Sequence, residues 1–581
     1  MTARRAALRL IAGPLALTAG ALAQSADEEA GNAGRAAPAI LGGGADMPFL
    51  PDFSYAGYGY GLRDIPGPSG EVVDVADHGA VPDDGKDDSE ALLAALDAAH
   101  AAQGPVTLRF GAGRYRVTEI LKVTRSDIVL AGMGRGAGGT ELHFPRPLSE
   151  VGDGGKLDEL RAYLEKYDKR QREPENNIDE LFSEYSWSGG FLWIGPEGFR
   201  PAAYLERYDE RPRRLARVRE GSRGGRTLTL SKASDLSPGD RIQVLWYNQT
   251  GKDAPILEQI YGETDLEIGS HHWSFKTRPI VRQYTTVEAV DGAVVTLASE
   301  LMHHAGGEVP AEIAPWTPLT HVGIEDMAIT FPPGPDYWHH GELGYNGIYL
   351  TGTADSWVRN VRISEADSGI LTYANANVTL SDIVTDGDRV AHYGVHMGEG
   401  HNILARNIKV MNPARHSLSA NTKATRIVYQ NAEVFRSAVI DQHAGSNHQN
   451  LFDNITLHVA ANRREDGEEG PSYPLWDGSG AGYWQPGHGA FNTFWNVRVL
   501  VQGGALPGET VTLQGLAEGP SATIVGVYGN RPFALDYRPA PYVERLNERM
   551  QDVPSLYEYQ LARRREASQP GSEARDTARG E

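Results

Sequence analysis

The chain has 581 residues, no cysteine and a formal charge of −21. Disulfides and thiolate metal sites are therefore excluded, and the net field opposes a polyanion-coating role such as nucleic-acid binding. An anionic substrate is not excluded, because a local basic cleft can override the overall charge.

The N-terminus predicts an export signal over residues 1–23. Arg4 and Arg5 precede an apolar run from Leu8 to Leu22, and Ala21-Leu22-Ala23 forms a small-x-small cleavage pattern before Gln24. The run is too short and too rich in Ala and Gly for a stable membrane span, and the arginine pair also fits a twin-arginine signal. The mature protein is expected in the periplasm or outside the cell, without membrane contact. Residues 24–70 read as a leader and linker, flexible as far as residue 48.

From residue 71 to 145 the sequence predicts a cap and the first strands of the main fold. Val72-Val73-Asp74-Val75 reads as a strand, and Asp87, Asp88 or Ser89 caps a helix whose apolar face holds Leu92, Leu93 and Leu96. Strands follow at Val106–Phe110, Gly113–Val117 and Asp127–Leu130. Gly132-Met133-Gly134-Arg135-Gly136-Ala137 satisfies a dinucleotide-binding fingerprint on letters alone, but Thr140–Phe144 after it reads as a strand, so the required helix is missing. Residues 146–320 interrupt the pattern. They predict a charged helix over Lys156–Arg172 and a small β-rich subdomain with strands within Gly225–Leu245 and Thr285–Leu301. Its aromatics Tyr247, Tyr261, Trp273 and Phe275 suit either its own core or the wall of a sugar cleft.

Residues 321–535 carry the main signal. An Asn or Asp followed by alternating apolar residues recurs at Asp326, Asn360, Asp382, Asn407, Asn431, Asn454 and Asn496, with steps of 22, 25, 24 and 23 residues from Asn360 to Asn454. A fixed period of this length with strand alternation predicts a β-solenoid, whose coils must stack to share a core. The head residue of each phrase is expected to sit inside a corner, bonding the next coil in an internal ladder. Residues 536–581 are expected to hold a last helix beginning near Pro554, with Leu556, Tyr559 and Leu561 inward, and a disordered tail from 566.

Asp74 through Asp88 into Leu92-Leu93-Ala94-Ala95-Leu96, Phe110-Gly111-Ala112-Gly113-Arg114-Tyr115 and Val129–Gly136 resemble the pectate-lyase superfamily, in its pectate lyase 3 or rhamnogalacturonase/epimerase-like branch. The resemblance covers roughly 71–145 and 320–500 and implies an all-β, right-handed parallel β-helix with an N-terminal capping helix. The branch spans lyases, hydrolases, epimerases and tailspikes, so it leaves the reaction open.

Aligned coils place Tyr349, His396 and Ser419 on one outward-facing row, with Tyr373, Asn421 and Gln442 near its end. His416, Lys423, Asp441, His443 and His448 gather at the same corner. In Asp441-Gln442-His443 the carboxylate can orient the imidazole and raise its basicity; His416 lies one coil away, about 4.8 Å per stacked strand. The expected catalytic set is His443, His416, Asp441, His396 and Tyr373. Lys423, Arg389 and Arg415 are expected to neutralise a substrate carboxylate, and Tyr349, Trp484 and His488 to contact sugar. Trp338-His339-His340-Gly341-Glu342 could cover the groove. No HxH or HExxH spacing is present, so the expectation is no cofactor and no metal, with a divalent cation such as calcium left open.

Asp386-Gly387-Asp388 and Gly398-Glu399-Gly400-His401 resemble elements of β-helix polygalacturonases, but the Asp-Asp pair and Arg-x-Lys that complete that pattern are missing. The leading expectation is a lyase on an anionic, uronate-containing polysaccharide, acting as a monomer or small homo-oligomer. The alternatives are a glycoside hydrolase using Asp386, Asp388, Asp441 or Glu399, and a non-catalytic glycan-binding surface protein.

Overall fold

The computed structural model describes residues 37–568 except 45–46, 152–182, 200–210, 234, 248–254, 263–277, 437, 444, 464–470, 478–485 and 518. The export signal, the Lys156–Arg172 helix, Trp273, Phe275, Trp484 and the tail beyond 568 lie outside the described residues.

The fold is a parallel β-helix. One wall is a ten-stranded parallel sheet: β1 (Leu121–Val123), β2 (Leu192–Ile194), β3 (Asn346–Thr351), β4 (Ser368–Tyr373), β5 (Ala391–Gly398), β6 (Ala414–Asn421), β7 (Ile440–His443), β8 (Pro474–Asp477), β9 (Val511–Ala517) and β10 (Phe533–Arg538). The facing wall is a longer parallel sheet containing Val322–Thr330, Trp357–Ser364 and Thr379–Asp386. The register is in phase from coil to coil. Ile348, Ile370, Val395, Leu418 and Ile440 stack in one inward row, and Tyr429, Phe452 and Phe494 stack inside at ring distances of 5.6 Å each. Burying such rows on both walls is what a single coil cannot do alone.

The repeated Asn/Asp residues form a ladder at a corner of the coil rather than inside the core. Each takes a left-handed backbone, from φ 52 at Asn431 and Asn454 to φ 58 at Asp326, a conformation that Asn and Asp tolerate better than other non-glycine residues. The side chains bond along the fibre axis: Asn407 Nδ2 to Asp382 Oδ1 at 3.1 Å, Asn454 Nδ2 to Asn431 Oδ1 at 2.7 Å and Asn496 Nδ2 to Asn454 Oδ1 at 3.1 Å. Asn407 and Asn431 are exposed, Asn454 is half-buried, and of the seven only Asn496, covered by residues 550–554, is buried. The period reports a turn conformation that must recur once per coil, not a buried polar seam.

Helix α1 (Ser89–Ala101) closes the N-terminal end with Leu92, Ala95, Leu96 and Ala99 buried. Residues 132–139 form a turn before the strand Thr140–His143. The insertion contains a closed six-stranded barrel made of Ala216–Gly221, Thr227–Leu230, Arg241–Tyr247, Pro279–Asp291, Val294–Leu297 and Ala311–Pro315. Tyr247 and Tyr261 are buried in this subdomain. It docks on the β-helix through Arg241 to Asp355 at 2.7 Å, Tyr261 Oη accepting from Ser446 N at 3.0 Å, and a 2.6 Å His303–His448 contact.

The stretch expected to be a linker is in part a strap. Phe53 and Ala56 are fully buried against Leu404, Val428, Leu451 and the last helix, α2 (Leu556–Ala567). Asn377 donates to the carbonyls of Tyr55 and Gly57, and Arg426 to that of Asp52. Apolar Phe53, Tyr55 and Tyr58 spaced through this segment were the available signal.

A test separates turn conformation from ladder bonding. Asn454→Ala loses the amide bond and puts at φ 52 a residue that tolerates the left-handed region less well than Asn, costing about 1–2 kcal/mol. Asn454→Gly loses the same bond without the backbone penalty and should recover at least half of that in denaturant unfolding. Equal losses would assign the cost to the amide instead.

Candidate active site

The outward row beside the core row runs Tyr349, Leu371, His396, Ser419 and Asp441. Two positions further along, Tyr373, Asn421 and His443 occupy the next outward row. Strand periodicity therefore sets Asp441 and His443 on one side, as their spacing of two requires. His416 lies beside Tyr393 of the preceding coil in register. Gly398 leaves room for the rings of His396 and Tyr373: a Cβ there would fall 2.6 Å from His396 and 2.8 Å from Tyr373.

Asp441 is the hinge of the group. Its Oδ1 lies 3.2 Å from His416 Nδ1 and 3.5 Å from His443 Nδ1, and it is fully buried. The two imidazoles meet edge to face at 4.7 Å. Burial alone would push the Asp441 carboxyl up, but His416 and then His443 outweigh it and hold it well below the usual carboxylate range. Tyr393 packs 5.0 Å from His416 and 4.6 Å from His396, and its hydroxyl accepts from Asn421 Nδ2 at 3.1 Å. Burial, followed by the Asp441 charge, keeps that phenol protonated far above neutral pH.

This outer face is covered, not open. The loop 332–345 folds back over the start of β5 and β6. Arg389 is buried and donates to the carbonyls of Pro332, Pro335 and Glu365. Its guanidinium also lies over the Tyr345 ring at 4.5 Å. Arg415 Nη2 donates to Tyr337 O at 3.1 Å. The loop delivers His339 and His340, stacked at 3.9 Å, onto His392 at 4.9 and 5.3 Å. His392 Nδ1 meets Glu342 Oε1 at 2.9 Å, and His339 lies 5.7 Å from His416. Two sets of donor atoms fall within 4.8 Å of one another: His339, His392 and His416, and His416, Asp441 and His443.

The expected catalytic residues thus fall in one cluster, with corrections to their exposure and to the binding residues. Tyr349, Tyr373 and His396 are 1 %, 3 % and 0 % exposed; Tyr349 is occupied by Trp193 at 5.1 Å, so none of them presents a face for sugar stacking. Arg389 is consumed by backbone carbonyls. Lys423 is buried with Nζ 3.1 Å from Glu399 Oε1, so its charge is already met. His488 is buried 3.1 Å from Tyr537 Oη, in the core near Trp476, and lines no groove. His448 belongs to the barrel contact. Arg415 remains half-buried at the loop, and His443 keeps 19 % of its side chain exposed against 6 % for His416. Residues given no role from sequence are Tyr393 and His392, and Glu342 was expected only as part of the covering stretch. The register pairing of Tyr393 with His416 was the signal for the first.

No family model matches the chain, and no curated protein does. Among solved structures, the tailspike gp61 of Pseudomonas phage phi297 is similar at 13% identity and TM-score 0.43, over 81% of this chain and 78% of that one. The Gp54 tailspike of Acinetobacter baumannii bacteriophage AP22, in complex with capsular saccharide, aligns at 11% identity and TM-score 0.34, over 81% and 72%. The A-module of the mannuronan C-5 epimerase AlgE6 of Azotobacter vinelandii aligns at 13% identity and TM-score 0.33, over 82% and 94%. The fold assignment stands on the strand registers given above.

Two outcomes follow from this geometry. His443→Ala should lower turnover by about 10²–10⁴-fold while shifting stability by less than about 1 kcal/mol, because the ring is partly exposed and fills no core position. A large drop in melting temperature with activity retained would contradict that role. The second concerns acid. Burial pushes His396 down to about 3 and His392 well below its ordinary value, so both stay neutral when folded while the unfolded chain takes up protons below about pH 6.5. Stability is fully present above that pH and falls as pH drops toward the folded values. His396 alone accounts for on the order of 2 kcal/mol by pH 5. Unfolding free energies flat from pH 7 to 5 would refute it.

Proposed function

We propose that the protein is an exported polysaccharide-active enzyme that cleaves a uronate-containing glycan by β-elimination. The observation that carries this reading is the buried Asp441 shared by His416 and His443, with His443 the more open of the two. A carboxylate behind an imidazole fixes its tautomer and strengthens it as a base.

In this reading His443 takes the C5 proton, the C4–O bond breaks as the C4–C5 double bond forms, and the leaving oxygen needs a proton. Tyr393 supplies it. Its hydroxyl bonds Asn421 of β6, and Asn421 neighbours His443 of β7 in register, so acid and base approach from the two coils on either side of β6. Accepting from Asn421 leaves the phenolic proton for the glycosidic oxygen. Arg415 is the cation best placed to meet the substrate carboxylate, since Arg389 and Lys423 are committed elsewhere. Hydrolysis by paired carboxylates is less well supported. Asp386 is held by Arg362 at 2.7 Å, Glu399 by Lys423 at 3.1 Å and Asp441 by two histidines, which leaves exposed Asp388 without an uncommitted partner in that set, whereas that chemistry needs one protonated and one free carboxylate. The signal pattern of residues 1–23 supports a periplasmic or secreted location.

Purified protein incubated with alginate, pectate, glucuronan and glycosaminoglycans should release products with the ultraviolet absorbance of an unsaturated uronate on at least one of them. Reducing ends without that absorbance would transfer the case to hydrolysis. Binding without any product would make the protein a glycan-binding surface protein.

A further inference from the structure

We propose that the protein binds one divalent transition-metal ion through His339, His392 and His416. The three donor nitrogens come from the covering loop, the start of β5 and the start of β6, and lie within 4.8 Å of one another. Tetrahedral binding at about 2.0–2.1 Å requires nitrogens roughly 3.3 Å apart, so the site closes by a movement of about 1.5 Å or less. His339 is exposed on its loop and is the ligand best able to make that movement.

The surroundings of the rings point the same way. His392 Nδ1 faces Glu342 Oε1 at 2.9 Å, and Glu342 is anchored in turn by Ser186 Oγ at 2.5 Å. His416 Nδ1 faces Asp441 Oδ1 at 3.2 Å. Two of the three histidines therefore have a buried carboxylate at Nδ1, which leaves Nε2 as the ligand nitrogen. A carboxylate behind a metal-bound imidazole fixes its tautomer and orientation. The other set, His416, Asp441 and His443, already contains its own carboxylate and is closed by it. Nitrogen donors favour zinc, nickel, cobalt or copper over calcium, so the calcium left open by the sequence does not suit this site. Three protein ligands leave a fourth position for water or a sugar oxygen. The proposal rests on the ligand set alone and stands whether or not the glycan is cleaved by elimination.

The test uses the full chain, stripped with chelator, dialysed, and titrated with zinc by calorimetry. One equivalent should bind per chain, and cobalt in its place should give the visible bands of a tetrahedral site. His339→Ala and His392→Ala should weaken zinc binding by about 100-fold or more, and Glu342→Gln by about 10–100-fold. His443→Ala should stay within about threefold of the unmodified chain, which distinguishes failure of the metal site from failure of the acid–base site. Because His339 is an exposed loop residue, its variant keeps the test valid if His392→Ala does not fold. Absence of stoichiometric binding, or unchanged affinity in His339→Ala, would overturn the proposal. So would an equal loss in His443→Ala, which would move the ion to the set around Asp441.

Discussion

The structure depends on one constraint: each coil must repeat the register of the coil beneath it. A parallel β-helix has no other way to close its core, because each strand finds its hydrogen bonds only in the coils above and below. Once Ile348, Ile370, Val395, Leu418 and Ile440 are stacked inward, the neighbouring positions are stacked outward with the same spacing. The residues that satisfy the core thereby fix the geometry of residues that do not serve it. Asp441 and His416 meet across adjacent coils for that reason, although 25 positions separate them in sequence.

A second layer converts this rigid row into a site. The loop 332–345 is pinned by Arg389, whose buried guanidinium is met by carbonyls and by Asp367 at 3.5 Å. Covering the row removes water from it. In those surroundings a carboxylate between two imidazoles acts more strongly than it would in solvent, and histidines without a counter-charge stay neutral. The same burial that would suit the proposed proton transfer makes the cluster costly to protonate, so the proposed chemistry and the expected acid lability share one physical origin.

The solenoid was legible because its signal is periodic. The steps from Asn360 to Asn454 mark a turn that must recur, and alternation after each Asn marks a strand. What the period could not say is which side of the corner the amide occupies, since both an interior seam and an αL turn demand Asn at the same interval. Asp441-Gln442-His443 was legible through spacing alone, because two residues two apart on a strand share a face. Exposure was not. Whether Tyr349 or His416 meets solvent depends on Trp193 and on the 332–345 loop, whose paths are tertiary facts. The fates of Arg389, Lys423 and His488 were hidden for the same reason: a cation's availability depends on which carbonyl or carboxylate reaches it first, and Pro332, Glu399 and Tyr537 lie between 24 and 57 residues away.

The central claim is that Asp441 and His443 act as one unit in proton transfer. A double-mutant cycle on kcat/KM with Asp441→Asn and His443→Ala, on whichever glycan proves to be the substrate, tests it most directly. Residues that act as a unit lose activity non-additively, so the double variant should be no slower than the slower single variant, within about threefold. Losses that multiply in the double variant would show that the two side chains contribute independently, and would contradict the assignment of the buried carboxylate to the imidazole beside it.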